Sequence, residues 1–420
     1  GAPSAPAWRS ARNTTTELET KVPAAYSALM RVQGFPRLVV SLLLGRIAGQ
    51  MLTVSLVLFV LSGYHSPQLA GAAAFLLTFP GLCLSPIAGA LLDRYGRARL
   101  VTVDYAIASA ALLLLAGLSL AHALPGALLL TICGVASLTG PLSAAGGRSL
   151  FPTLVPTRLW ERANALDSTT HVVASLIGAP LGGVLVAIAG GEWALAATGV
   201  VFASAVIAML SVHDPGLRRT DGDVLRDAWA GLVYVVRNPT IRGIALTLSS
   251  SSAGWGCLLI AVPVLLLGRF HQGPATVGYL EGLMGAAGIV SALLTGRIRM
   301  AGRERQLMVV SVLGCAMSMA FLPLASSVIV VALAMFAIGF VNGPFDVALF
   351  TLRQRRTDPA RFGRVFAVSM ALNMVGGPIG SAAAGPLIAW SLDAGCGRQW
   401  RSLCSRPSFP SLRSRRRTVP

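Results

Sequence analysis

Of the 420 residues, 54% are apolar and only 12% are charged, and the mean hydropathy of +0.70 lies well above that of a water-soluble domain. The formal net charge of +18 would point a soluble chain towards nucleic acid. Here the charges are confined to short segments between long apolar runs, so nucleic acid is not the partner they imply. An integral membrane protein remains, with spans expected as helices because lipid offers the backbone no hydrogen-bond partner.

Residues 1–37 are polar and contain no early apolar core, so no cleavable signal peptide is expected. Helical spans of about 20 residues follow at roughly 38–62, 68–92, 99–121, 125–147, 165–190, 193–213, 243–267, 275–298, 307–324, 326–351 and 365–392. Six precede and five follow the polar connection 214–242. Within it, Asp223 to Arg237 repeats apolar residues at three- and four-residue spacing, which predicts an amphipathic helix at the interface, with Trp229 and Tyr234 suited to that depth. The chain thus divides into a tail (1–37), a six-helix half (38–213), a linker (214–242), a five-helix half (243–392) and a basic tail (393–420).

Arginines gather on alternate loops. Arg94, Arg97 and Arg99 follow the second span, Arg148, Arg158 and Arg162 the fourth, and Arg297, Arg299, Arg303 and Arg305 the eighth, whereas the opposite short loops carry only Arg269. This asymmetry predicts a cytoplasmic N-terminus. After residue 392 the text turns to Arg, Ser, Pro and Cys and ends in Arg415-Arg416-Arg417; Lys21 is the single lysine among 34 basic residues. GC-rich DNA read out of frame gives such a composition, so a frameshifted or truncated gene is expected, the alternative being a genuine basic tail held inside by an eleventh span that does not cross.

Between the second and third spans stands Gly89-Ala-Leu-Leu-Asp93-Arg94-Tyr-Gly96-Arg97-Ala-Arg99. Four charges in seven residues cannot lie in hydrocarbon, so this is a tight hairpin at a membrane face. Through Gly89, Asp93, Arg94, Gly96 and Arg97 it resembles the loop between the second and third helices of the major facilitator superfamily, whose members move small solutes across membranes. That family generally has twelve spans; a twelfth is missing here. Its repeated halves are echoed by Gly140-Pro141 and Gly343-Pro344, and by Gly178-Ala-Pro180-Leu-Gly182 and Gly376-Gly-Pro378-Ile-Gly380, all offset by about 200 residues. The fold class implied is an all-α polytopic bundle of two halves.

The resemblance also assigns roles. Asp93 would cap the start of the eleventh helix near residues 363–366, where a carboxylate meets unsatisfied N–H groups; a solvated loop is the alternative. Gly178, Pro180, Gly182 and Gly183 in the fifth span are similar to the helix-bend segment of the family's exporters, although Ala179 intervenes, and close helix packing explains them equally well. Together with Arg162-Ala-Asn164-Ala-Leu166, they give a likeness to the branch of drug, macrolide and siderophore exporters.

Charges inside spans are costly and usually functional. The resemblance implies that the first and tenth helices line a central cavity, so Arg46 and Asp346 would meet there as a pair, or else snorkel to the inner face; Glu281 lies nearer the outer rim, so Asp346 is the first choice for coupling. Asp104, in the third span, and His171, in the fifth, are further in-span polar groups, the latter most simply structural. In the seventh span Ser249, Ser250, Ser251 and Ser252 cover every face of a turn before Trp255, and Ser249, Ser250, Ser252 and Trp255 are candidates for the substrate cavity or, for the serines, for bonding back to the helix.

No phosphate-binding loop and no His-Glu-x-x-His occurs, so no catalytic residue, metal or cofactor is expected. Cys83, Cys133, Cys257 and Cys315 lie in apolar spans without metal-ligand spacing and read as small core residues. The resemblance implies a monomeric multi-pass antiporter of the plasma or inner membrane that expels a small molecule, drug or metabolite, against protons. Uptake of a small solute on the same fold, or a non-functional truncated product, are the alternatives.

Overall fold

The computed structural model describes residues 26–156, 159–212, 239–295, 304–356 and 374–388, together with the isolated positions 233 and 237. Described segments are helical throughout, and ten helices are long and apolar enough to cross a membrane. A short α1 (Tyr26–Met30) leads into α2 (Phe35–Tyr64), the first span. The second span is broken into α3 (Pro67–Leu76) and α4 (Phe79–Tyr95), and the fourth into α6 (Gly126–Ser137) and α7 (Gly140–Leu154). Each break falls before a proline at the start of the following helix, Pro80 or Pro141, whose missing N–H and fixed φ suit a first turn and interrupt a continuous one.

The third, fifth and sixth spans are α5 (Arg97–Leu120), α8 (Trp160–Ala189) and α9 (Gly191–Leu210). The seventh is α10 (Pro239–Val264), finished by one π turn over Leu265–Arg269 just after Pro263. Then come α11 (Pro274–Thr295), α12 (Glu304–Phe321) and α13 (Val328–Arg356), and the apolar helix α14 (Met374–Ile388). Residues 157–158, most of 213–238 with the expected amphipathic helix of the linker, residues 296–303, residues 357–373 and everything beyond 388, including the tail 393–420, lie outside the described residues.

Turn chemistry is local and legible. The Ser66 hydroxyl accepts from the Leu69 N–H at 3.2 Å, capping α3 ahead of Pro67. Gly96, at φ 93°, turns the chain from α4 to α5 without an intervening loop, a conformation that L side chains rarely take. Three histidines, His65, His122 and His271, end their spans in the left-handed region.

α2 packs on α8 and α9, α9 on α5, and α13 on α11 and α12, while α11 crosses to α8. One buried core fills the first half and takes in Ile260 and Val264 of α10; the other fills the second half and takes in Val54 and Leu58 of α2 with Val186 of α8. The shared residues all lie towards the turns at 65–66 and 270–273. At that end the halves are therefore packed together, and the opposite end carries the α4–α5 turn.

Candidate functional site

Where the two halves part, a cavity of about 750 Å³ opens between them, within the range of sites for drug-sized molecules. The first half lines it with Gln50 and Thr53 of α2, Thr78 at the break in the second span, and His171, Ser175 and Ala179 of α8. Ser252 and Trp255 of α10, Glu281 and Met284 of α11, Asn342 of α13 and Pro378 of α14 line it from the other half.

Behind the first wall lies a charged cluster. Arg46, Gln50 and Thr53 share one face of α2, and Asp167, His171 and Ser175 share one face of α8, at spacings that stack side chains along a helix. Arg46 donates from Nη2 to Asp167 Oδ1 at 2.5 Å, and from Nη1 to the Asp167 carbonyl at 2.9 Å and to the Thr170 hydroxyl. The side chains of Arg46 and Asp167 are only 14% and 12% exposed, so each charge is held by the other and not by water. Arg148 of α7 is looser: its Nε stands 3.7 Å from Asp167 Oδ2, its Nη2 reaches His171 Nε2 at 3.1 Å, and its side chain is 58% exposed. One turn further on, Gln50 Nε2 donates to the Ser175 hydroxyl at 3.1 Å.

Small residues set how closely the walls approach. A Cβ at Gly178 or Gly182 would stand 2.8 or 2.9 Å from the α2 carbonyls of Ile47 and Met51; one at Gly183 would stand 2.9 Å from the Gly278 backbone of α11, and one at Gly282 would meet Pro180 at 2.7 Å. α8 thus uses one set of glycines against its own half and another against the opposite half. The second copy repeats this: Gly376 and Gly380 of α14 abut the α10 carbonyls of Ser249 and Ala253, while Gly385 abuts Pro67 and Gln68 of α3 and Gly71 abuts the Ser381 carbonyl.

Two halves related in this way around one shared cavity are an architecture for moving a solute, and residues 38–391 match the Major Facilitator Superfamily. The chain belongs to that family. It is 38% identical over 88% of its length, and 92% of the relative's, to the uncharacterized MFS-type transporter y4rN of Sinorhizobium fredii. It is 28% identical to the enterobactin exporter EntS of Shigella boydii, over 77% of each chain. In fold it matches the crystal structure of the nucleoside transporter NupG (TM-score 0.71, 12% identity, 87% of this chain and 94% of that one). A bacterial homologue of the lysosomal transporter Spinster matches as well (TM-score 0.65, 15% identity, 87% and 84%). This major facilitator protein is accordingly a multi-pass secondary transporter for a small molecule, and the family is one of transporters, not enzymes.

Within the transporter, the residues singled out in the sequence fall unevenly. Of the hairpin, Gly96 makes the turn, Arg97 Nη1 donates to the Ser149 carbonyl of α7 at 3.2 Å, and Arg94 stacks over Tyr95 with 5.5 Å to the ring centroid. Gly89 and Asp93 belong to α4, but the Asp93 side chain and residues 363–366 are outside the described residues. Among the described residues Arg46 pairs with Asp167, because α8 packs against α2 at that depth. The Asp346 side chain is likewise outside the described set, on α13.

Glu281, expected nearer the outer rim, stands seven residues into α11 and lines the cavity, without a hydrogen bond or ion pair among the described residues. Of the hydroxyl run, Ser252 lines the cavity with Trp255, whereas Ser249 backs onto Gly376 through its carbonyl and Ser250 is exposed. Asp104 is buried in the first half. Among the described residues no group of three or more His, Cys, Asp or Glu could hold a metal ion. Asp167, Arg148 and Gln50 were missed by sequence reasoning; the polar stripes they form with Arg46 and His171 at helical spacing were the available signal.

Proposed function

We propose that this transporter exports a small organic metabolite in exchange for protons, with the halves 38–213 and 243–392 rocking about the central cavity and the linker 214–242 joining them on the cytoplasmic side of the cell membrane. The observation that carries the reading is Glu281: a carboxyl on the second wall of the cavity, facing the space a substrate would fill and engaged by no described partner. Such a group can gain a proton when one side opens and yield it when the substrate arrives from the other. Asp346 is the second candidate for the same role. With the N-terminus cytoplasmic, the end at which the halves pack is the outer one, and the cavity stands ready to be loaded from inside.

Export, and a siderophore-like cargo as the first to try, are supported by the likeness to the enterobactin exporter. The α4–α5 hairpin supplies the switch, with Asp93 meeting a helix start when the inner end closes. The test uses everted membrane vesicles acidified by respiration and a dye that reports the interior pH. Adding enterobactin should release protons from wild-type vesicles and not from those carrying Glu281→Gln. Proton uptake into the lumen on adding substrate would indicate the uptake direction, and unchanged release in Glu281→Gln with loss in Asp346→Asn would move the coupling site to α13.

A further inference from the structure

The charged cluster behind the first wall of the cavity holds more positive than negative charge among its described residues. Arg46 and Arg148 share Asp167, and the third titratable group of the cluster, His171, is uncharged there for a reason of donor chemistry. A guanidinium has no acceptor atom, so in the 3.1 Å contact between Arg148 Nη2 and His171 Nε2 the imidazole nitrogen must accept. The ring therefore carries its proton on Nδ1 and no net charge. Two cations against one carboxylate leave a surplus of one positive charge beside a cavity set in lipid, among the described residues of the cluster. Surplus charge at membrane depth is costly unless something answers it.

The two arginines are not equivalent. Arg46 is fixed by three acceptors on α8 and lies almost wholly under other atoms. Arg148 is on the neighbouring α7, more than half exposed, and no closer than 3.7 Å to the carboxylate it would share. Among the described residues its tight contact is with His171, which itself lines the cavity. Apart from the Glu281 carboxyl on the facing wall, the rest of the chamber is apolar or weakly polar, with Trp255, Met284, Leu258 and Leu259 in its lining.

From this arrangement we infer that the transported molecule carries an anionic group, a carboxylate or a comparable oxyanion, which Arg148 takes up beside His171 while the apolar body of the molecule lies against Trp255 and Met284. An oxyanion suits a guanidinium because two parallel N–H donors meet two oxygens. Asp167 then has a definite part: it neutralises Arg46 and leaves Arg148 for the cargo. The inference rests on the proposal that the cavity carries substrate, and it deepens that proposal by naming the substrate's charge.

Binding, measured without any gradient, separates the two. Purified full-length protein in detergent is equilibrated with radiolabelled 2-naphthoate, with its neutral amide, and with the naphthyl trimethylammonium cation, which share one apolar body. Wild type should bind the carboxylate saturably and at least tenfold more tightly than the amide or the cation. Arg148→Gln should lose that preference, leaving the amide unaffected, and Arg148→Lys should restore part of it. Arg148 is the residue to change because its exposed side chain is dispensable to folding, whereas removing Arg46 strands a buried carboxylate. Absence of saturable carboxylate binding by wild type, preference for the cation, or an unchanged carboxylate preference in Arg148→Gln each overturns the inference. Efflux that fails while this binding pattern holds would count against proton-coupled export alone.

Discussion

Both walls of the cavity set glycines against carbonyls, and the first adds a charged pair between its helices. On the first, α2 and α8 are tied by Arg46–Asp167 and by Gln50–Ser175, and the polar groups bind one another before any cargo arrives. On the second, α10 and α14 are brought together by glycines set against carbonyls, at Gly256, Gly376 and Gly380. Polar groups such as Glu281 are there left facing the cavity. The lesson is that a charge in a span is not by itself a sign of function: Asp167 is spent on assembling its wall, whereas Glu281 has no hydrogen-bond or ion-pair partner among the described residues.

The sharpest way to break this contrast is to remove one member of the buried pair. Asp167→Asn leaves the Arg46 guanidinium without its counter-charge and should cost roughly 3–5 kcal/mol, as measured for one-sided loss of a buried ion pair. Thermal unfolding of the purified protein should show the loss, and replacing both residues together with apolar ones should cost less than either single change. A stable Asp167→Asn protein would mean that Asp167 serves the cargo and not the wall.

Next in size is the contact between the halves. Gly183→Leu places a side chain where a Cβ already stands 2.9 Å from backbone atoms of Gly278 and Pro274, an overpacking expected to cost about 1–3 kcal/mol. The expected outcome is separation of α8 from α11, read as an increased spin-label distance between the two helices at that end. If the distance stays at its wild-type value, the glycine does not set the approach.

Glu281→Gln should have the smallest effect on stability, within about 0.5 kcal/mol of wild type, because nothing among the described residues depends on its charge. The same variant should nonetheless lose substrate-driven proton release. Unfolding as severe as that of Asp167→Asn would show that both walls use their charges alike.

Much of the architecture was legible because hydropathy and the arginine asymmetry speak about single helices, and single helices are what a span is. The breaks before Pro80 and Pro141 were hidden inside apolar runs that read as continuous. Asp167 was overlooked for a related reason: near the start of a span predicted from residue 165, it reads as an interfacial charge, and only the depth at which α2 crosses α8 turns it into Arg46's partner. Glu281 was placed by counting along its helix, but exposure depends on which neighbours cover that turn, and the packing of α11 on α8 and α13 is written nowhere in the span itself. The glycine segments told that helices come close; which carbonyl each one meets is a property of pairs.

The contacts that hold the closed end have a short reach. Gly183 on Gly278 and Gly71 on Ser381 present bare backbone to bare backbone, so what binds them is dispersion, which loses a quarter to a half of its strength over a gap of about 0.5–1 Å. A latch of this kind resists the first fraction of an ångström of parting and very little after that. Unlike a salt bridge, it pulls on nothing from a distance. The halves of this transporter are therefore suited to snapping between shut and open with few stopping points between, and the force that opens them need act only over the opening ångström.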